Sequence, residues 1–139
     1  EYLYIRNYEP TRWPMGSPEG LDDVRAPAPE YDELANNTFA AFADLDASPT
    51  KAWMIHHRAE ESVRPLYETG FGKRPLEELY DVRNDPDHMA NLASRPECAE
   101  LKRCLAERLE AVLSEHDDPR AATAAKTCRF ERPPFTDPV

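Results

Sequence analysis

Apolar side chains recur between residues 97 and 116 at Leu101, Leu105, Leu109, Val112 and Leu113, with spacings of four, four, three and one. That is a 3.6-residue stripe, so the segment is predicted to be an amphipathic helix with Lys102, Arg103, Glu107, Arg108 and Glu110 mostly on its wet side. Pro96 suits its first turn. Full burial of the five apolar side chains, at roughly 1.5–3 kcal/mol each, would contribute about 8–15 kcal/mol gross. This is comparable with the net stability of a whole domain, so the helix needs a platform. Two predicted strands supply one. Residues 2–8 are rich in aromatic and β-branched side chains and end at Glu9-Pro10. In residues 76–82, Leu76, Glu78, Tyr80 and Val82 fall on one face and Glu77, Leu79 and Asp81 on the other, the pattern of a strand partly covered on both sides. Asn84-Asp85-Pro86-Asp87 then reads as a turn, in which Asp carboxylates accept local backbone N–H bonds and proline fixes φ.

The remaining chain is more irregular. Residues 9–30 hold Pro10, Pro14, Pro18, Pro27 and Pro29 with Gly16 and Gly20, and form a loop with Trp13 and Met15 as anchors. From Tyr31 the loose pattern Leu34, Phe39, Phe42, Leu45 allows a short helix. Ser48-Pro49 is a stronger start signal, with serine at the N-cap and proline at the first helical position. Val63, Leu66, Tyr67 and Phe71 suggest another short helix ending near Gly70 or Gly72. The fold class expected is α+β: a small antiparallel sheet packed by a long C-terminal amphipathic helix. One subdomain is expected over 1–118, with the loop 9–30 inside it, followed by an extended tail over 119–139.

Composition narrows the partners. Acidic residues outnumber basic ones by 27 to 17, a formal charge of -10, which disfavours a nucleic-acid surface. Fourteen prolines against four glycines imply stiff connections. Three cysteines cannot all pair internally, and Cys98 and Cys104, about 600° apart around a helix, point to different faces; free thiols are expected. No apolar run approaches the ~18–20 residues that span a bilayer, so no membrane partner is expected. The chain opens on a strand-like Glu1-Tyr2-Leu3-Tyr4-Ile5 without methionine, as a piece of a longer protein would. A soluble chain is expected, its compartment (cytoplasmic, periplasmic or secreted) depending on what precedes Glu1.

The segment from Glu78-Leu79-Tyr80-Asp81 through Asp85-Pro86-Asp87-His88 to Asn91-Leu92-Ala93 resembles the signature near the C-terminus of sulfatases, E-L-Y-D-x-x-x-D-P-x-E/H-x-x-N-L-A. Tyr2-Leu3-Tyr4-Ile5-Arg6-Asn7-Tyr8, Ser48-Pro49-Thr50-Lys51-Ala52-Trp53, Phe71-Gly72-Lys73-Arg74-Pro75 and the ending His116-Asp117-Asp118-Pro119 narrow the likeness to bacterial relatives of N-sulfoglucosamine sulfohydrolase, the heparan N-sulfatase. The resemblance covers roughly residues 1–120. It implies the C-terminal subdomain of an alkaline-phosphatase-like fold, with about four antiparallel strands and a packed helix. It also implies a parent hydrolase of sulfate esters or sulfamates that uses calcium and a formylglycine made from the cysteine of a C-x-P/S-x-R motif.

Here the pattern breaks. Cys98 precedes Ala99-Glu100-Leu101-Lys102, Cys104 precedes Leu105-Ala106-Glu107-Arg108, and Cys128 precedes Arg129-Phe130-Glu131-Arg132, so none fits the formylglycine motif. Calcium wants six to eight oxygens from a preformed cage, and the spacing of Asp81, Asp85 and Asp87 suits turn capping better. His56 and His57 diverge by about 100° on a helix and make a poor zinc pair. No catalytic or metal-binding residue is therefore assigned to this chain. A basic cluster of Lys51, Arg58, Arg64, Lys73 and Arg74 stands against the acidic background. These cations are expected to be solvated or paired with carboxylates, while Lys73 and Arg74 are the candidate substrate-binding residues at the rim of a cleft for a sulfated sugar. The expected role is a non-catalytic portion that supports a sulfatase catalytic domain, inactive alone and self-associating through exposed apolar surface. The competing role is a self-standing binding module on a similar scaffold.

Overall fold

The computed structural model describes residues 1–121; the part of the predicted tail over 122–139 lies outside them. The fold is α+β. Contacts group the described residues into two compact units, residues 1–9 with 75–121, and residues 10–74.

The first unit holds strand β1 (Tyr2–Arg6), strand β2 (Glu77–Asp81) and a long helix (Ala99–Glu115), α4 in chain order after the three helices of the second unit. β1 and β2 pair antiparallel with Tyr4 opposite Leu79 and Ile5 opposite Glu78. The ladder extends by a bond from Asn7 N–H to the Leu76 carbonyl (2.9 Å) and from Val82 N–H to the Glu1 carbonyl (3.1 Å). Two strands are present among the described residues, against the four of the expectation.

The outer edge of β2 is closed by a single side chain and its neighbour. Asn91 Oδ1 accepts from Leu79 N–H (3.0 Å), its Nδ2 donates to the Glu77 carbonyl (3.3 Å), and Leu92 N–H donates to the Leu79 carbonyl (2.7 Å). An asparagine amide carries the donor and acceptor of a peptide group, so it stands in for a strand. Leu79 beneath it is fully buried. Between β2 and Asn91 the carboxylates organise the turn. Asp81 accepts from Arg83 N–H and Asn84 Nδ2, and Asp85 from the N–H groups of Met89 (3.0 Å) and Ala90 (2.8 Å).

The helix α4 begins after a short 3₁₀ turn at Pro96–Cys98 and ends in a Schellman motif. Asp117 takes the left-handed position (φ 52°), and Asp118 N–H reaches back to the Leu113 carbonyl (2.8 Å). It packs on β1, and Lys102 Nζ ties it to Glu77 of β2 (2.9 Å). The expected depth of burial is corrected: no residue of α4 is fully buried, and Val112 is 45% exposed. A two-stranded sheet is too narrow to cover a whole helical face, so the 8–15 kcal/mol that full burial would give is not realised.

The second unit carries α1 (Tyr31–Asn36), α2 (Pro49–His56) and α3 (Arg64–Phe71). Ser48 caps α2 as its hydroxyl accepts from Lys51 N–H (3.1 Å), and Gly72 ends α3. Phe42 is central: its ring meets those of Phe71 (4.9 Å), Trp13 (6.2 Å) and Tyr67 (6.4 Å) edge-on. The proline-rich loop forms no helix or strand, yet it is ordered. Leu21 is buried in this core and Trp13 and Met15 pack against it. Phe42 N–H bonds to the Ser17 carbonyl (2.7 Å) and Asp44 N–H to the Met15 carbonyl (3.1 Å). Gly16 (φ 88°) permits this approach, since a Cβ there would lie 3.0 Å from Ala43 N.

Candidate functional site

The five basic residues of the cluster separate into different environments, all in the second unit. Lys51 on α2 is buried, and its ammonium donates to the carbonyls of Thr38 (3.1 Å), Phe42 (3.2 Å) and Leu45 (2.8 Å). Burial pushes its pKa down, and the nearby Asp46 charge works against that shift. Arg58, also buried, donates to the carbonyls of Ile55 (2.6 Å) and Ala26. Arg64 pairs with Glu68 one helical turn on (2.8 Å). The expectation of solvated or carboxylate-paired cations is thus corrected for Lys51 and Arg58. Both ions satisfy backbone carbonyls, Lys51 those of the segment 38–45 and Arg58 those of Ala26 and of Ile55 in the last turn of α2.

Lys73 and Arg74 remain, where the chain leaves α3. Lys73 is exposed, with its ammonium 5.0 Å from the centre of the Trp13 ring, within cation–π range. Arg74 donates from Nη1 to the Thr69 carbonyl in the last turn of α3, completing a helix end. The structure therefore places Lys73 and Arg74 at one end of α3 and sets Trp13 against Lys73. Nothing local in the sequence linked Trp13 to Lys73, which lie sixty residues apart. Gly72 lies between α3 and Lys73. A Cβ there would lie 2.5 Å from the Glu68 carbonyl oxygen, so it serves the tight helix exit. Chemically, this corner offers an exposed ammonium over an indole, suited to an anionic oxygen on a ring-bearing ligand.

The histidines follow the diverging geometry expected of neighbours on a helix. His57 stacks on Trp53 (4.5 Å between ring centres) and contacts Glu60 (2.5 Å), whereas His56 bonds to the Pro29 carbonyl (3.0 Å). Among the described residues no three His, Cys, Asp or Glu side chains converge as metal ligands. Asp81 and Asp85 are already accepting backbone N–H groups, and Cys98 and Cys104 are free thiols outside any formylglycine motif. Among the described residues these side chains therefore do not assemble the calcium–formylglycine pair of the resemblance.

In the first unit an electrostatic coupling joins β1, β2 and α4. Tyr4 Oη donates to Glu77 Oε1 (2.7 Å), and Lys102 approaches the other carboxylate oxygen. Burial and this bond push the Tyr4 hydroxyl up to about 12, while Tyr4 and Lys102 hold the Glu77 carboxyl below its ordinary value. The chain matches no known protein family, no curated protein and no solved structure.

Proposed function

We propose that this chain is the C-terminal, non-catalytic portion of a sulfatase that hydrolyses sulfate esters or sulfamates of a sugar or glycan. The observation that carries the reading is the work done by the signature residues. Asp81, Asp85 and Asn91 direct their side chains to the backbone of β2 and the turn after it. Three polar positions of the pattern thus hold the backbone, while Glu78 accepts from the side chains of Asn7 and Tyr80; this is work that a supporting subdomain needs. On this reading the catalytic domain, with its calcium and formylglycine, precedes Glu1. The sheet of about four strands is completed by strands of that preceding chain.

Lys73 and Arg74, with Trp13, line the rim of the substrate cleft and meet the sulfated sugar of the parent. Replacing both cations by alanine in the full-length enzyme raises KM for a sulfated glycan by about tenfold and leaves kcat nearly unchanged, the signature of lost uniform binding. Unchanged KM would remove the substrate role without touching the supporting one. The reading itself is tested by the coding sequence upstream of Glu1. A continuous frame containing C-x-P/S-x-R is expected, whereas a start codon close to Glu1 would favour the self-standing binding module.

A further inference from the structure

We infer that Lys51 and Phe42 are positioning residues of the Lys73–Trp13 corner. Lys51 holds Phe42 in a left-handed backbone conformation, and the Phe42 ring sets both the indole and the end of α3 from which Lys73 leaves. The geometric part stands by itself, whereas its consequence for a sulfated sugar rests on the function proposed above.

Phe42 has φ 47°, a conformation that bulky L residues rarely adopt. The other non-glycine residues with positive φ among the described residues, Glu19, His88 and Asp117, are at least partly exposed, whereas Phe42 is fully buried. Such a backbone persists only where its surroundings over-determine it, and it recurs at ligand clamps. Here the constraint comes from both sides of the residue. Its N–H donates to the Ser17 carbonyl (2.7 Å), and its carbonyl accepts from the Lys51 ammonium (3.2 Å) and from Leu45 N–H (3.0 Å). The same ammonium donates to the carbonyls of Thr38 and Leu45, one before and one after Phe42 in the chain. One buried cation thus closes the segment 38–45 around Phe42.

The ring faces both halves of the corner. It meets the indole of Trp13 edge-on at 6.2 Å and the ring of Phe71 at 4.9 Å. Behind the indole, Asp44 N–H donates to the Met15 carbonyl (3.1 Å) and Gly16 N–H to the Trp13 carbonyl (3.3 Å). Phe71 is the last residue of α3, and the tight exit at Gly72 leads from it to Lys73. The Lys73 ammonium lies 5.0 Å from the centre of the indole that the Phe42 ring touches. Cation–π attraction holds within about 6 Å of a ring centre, so a displacement of about 1 Å takes the pair to its limit. Releasing Phe42 therefore loosens the indole and the ammonium together.

With Trp53→Phe the full chain keeps Trp13 as its one tryptophan. In that background Lys51→Met is expected to shift the Trp13 emission maximum and weaken its near-ultraviolet circular dichroism, with the far-ultraviolet helix signal retained. Phe42→Leu leaves the Lys51 bonds in place and removes only the ring; it is expected to do the same, and it serves if Lys51→Met does not fold. In the full-length enzyme Lys51→Met is expected to raise KM for a sulfated glycan about fivefold with kcat nearly unchanged. Combined with Lys73→Ala it raises KM no further than Lys73→Ala alone, because both act through one contact. A folded variant with an unchanged Trp13 signal would overturn the inference, and so would KM effects of Lys51→Met and Lys73→Ala that multiply. A changed Trp13 signal with unchanged KM would leave the positioning intact and overturn the substrate role of the corner instead.

Discussion

Lys51 is the residue on which the irregular half of the second unit turns. Three carbonyls, of Thr38 in a 3₁₀ turn and of Phe42 and Leu45 beyond it, converge on one ammonium, and they lose that donor if it is removed. Lys51→Met keeps the apolar stem and deletes the donors, and a loss of about 2–4 kcal/mol is expected in urea unfolding. A loss below about 0.5 kcal/mol would show that water replaces the ammonium. Glycines give a paired test. Gly72→Ala drives a methyl into the Glu68 carbonyl, whereas Gly70, inside α3, has open space around its Cβ position and no positive φ. The first should destabilise by about 1–3 kcal/mol and the second stabilise by about 0.5–1 kcal/mol. Equal effects would mean that the helix exit is not the constraint.

At the scale of elements, Asn91 replaces a strand for β2. Asn91→Ala leaves the N–H of Leu79 without its acceptor beside a fully buried side chain, and a cost of about 2–3 kcal/mol is expected. Asn91→Asp keeps the acceptor, loses the donor to Glu77, and should cost less. The union of β1, β2 and α4 at Tyr4, Glu77 and Lys102 gives the first unit a defined pH window. A carboxyl held below its ordinary 4.5 contributes stability that is present above that value and lost as pH falls through its lowered folded value. A tyrosine raised from 10.0 to about 12 contributes stability that is present below 10 and lost as pH rises towards 12. Absorbance titration at alkaline pH should therefore show Tyr4 ionising late, and Glu77→Gln should lower its midpoint and shrink the acid-side loss. An unmoved Tyr4 midpoint in Glu77→Gln would break the link between the two arms.

The two strands, the capped α2, the glycine-ended α3 and the long α4 were legible because each rests on local signals: alternation, Ser-Pro, Gly and a leucine stripe. The turn carboxylates were legible for the same reason, since Asp81 and Asp85 act on residues a few positions away. What escaped depends on distance along the chain. The partners of Lys51 and Arg58 are carbonyls, which no side-chain pattern marks, and Trp13 meets Lys73 across sixty residues. The depth at which α4 is buried depends on sheet width, and periodicity states which face is apolar without stating what covers it.

At the scale of the whole molecule, the described residues place side chains of the sulfatase-like signature in structural service and no reaction centre among them. On the proposed reading this chain binds and supports, and the chemistry belongs to the longer protein. Sulfate release from sulfated glucosamine substrates, measured for the purified chain and for the product of the full reading frame, tests that most directly. The account predicts no release by the chain alone and formylglycine-dependent release by the longer protein. Release by the chain alone, or a full reading frame that lacks C-x-P/S-x-R and is inactive, would contradict it.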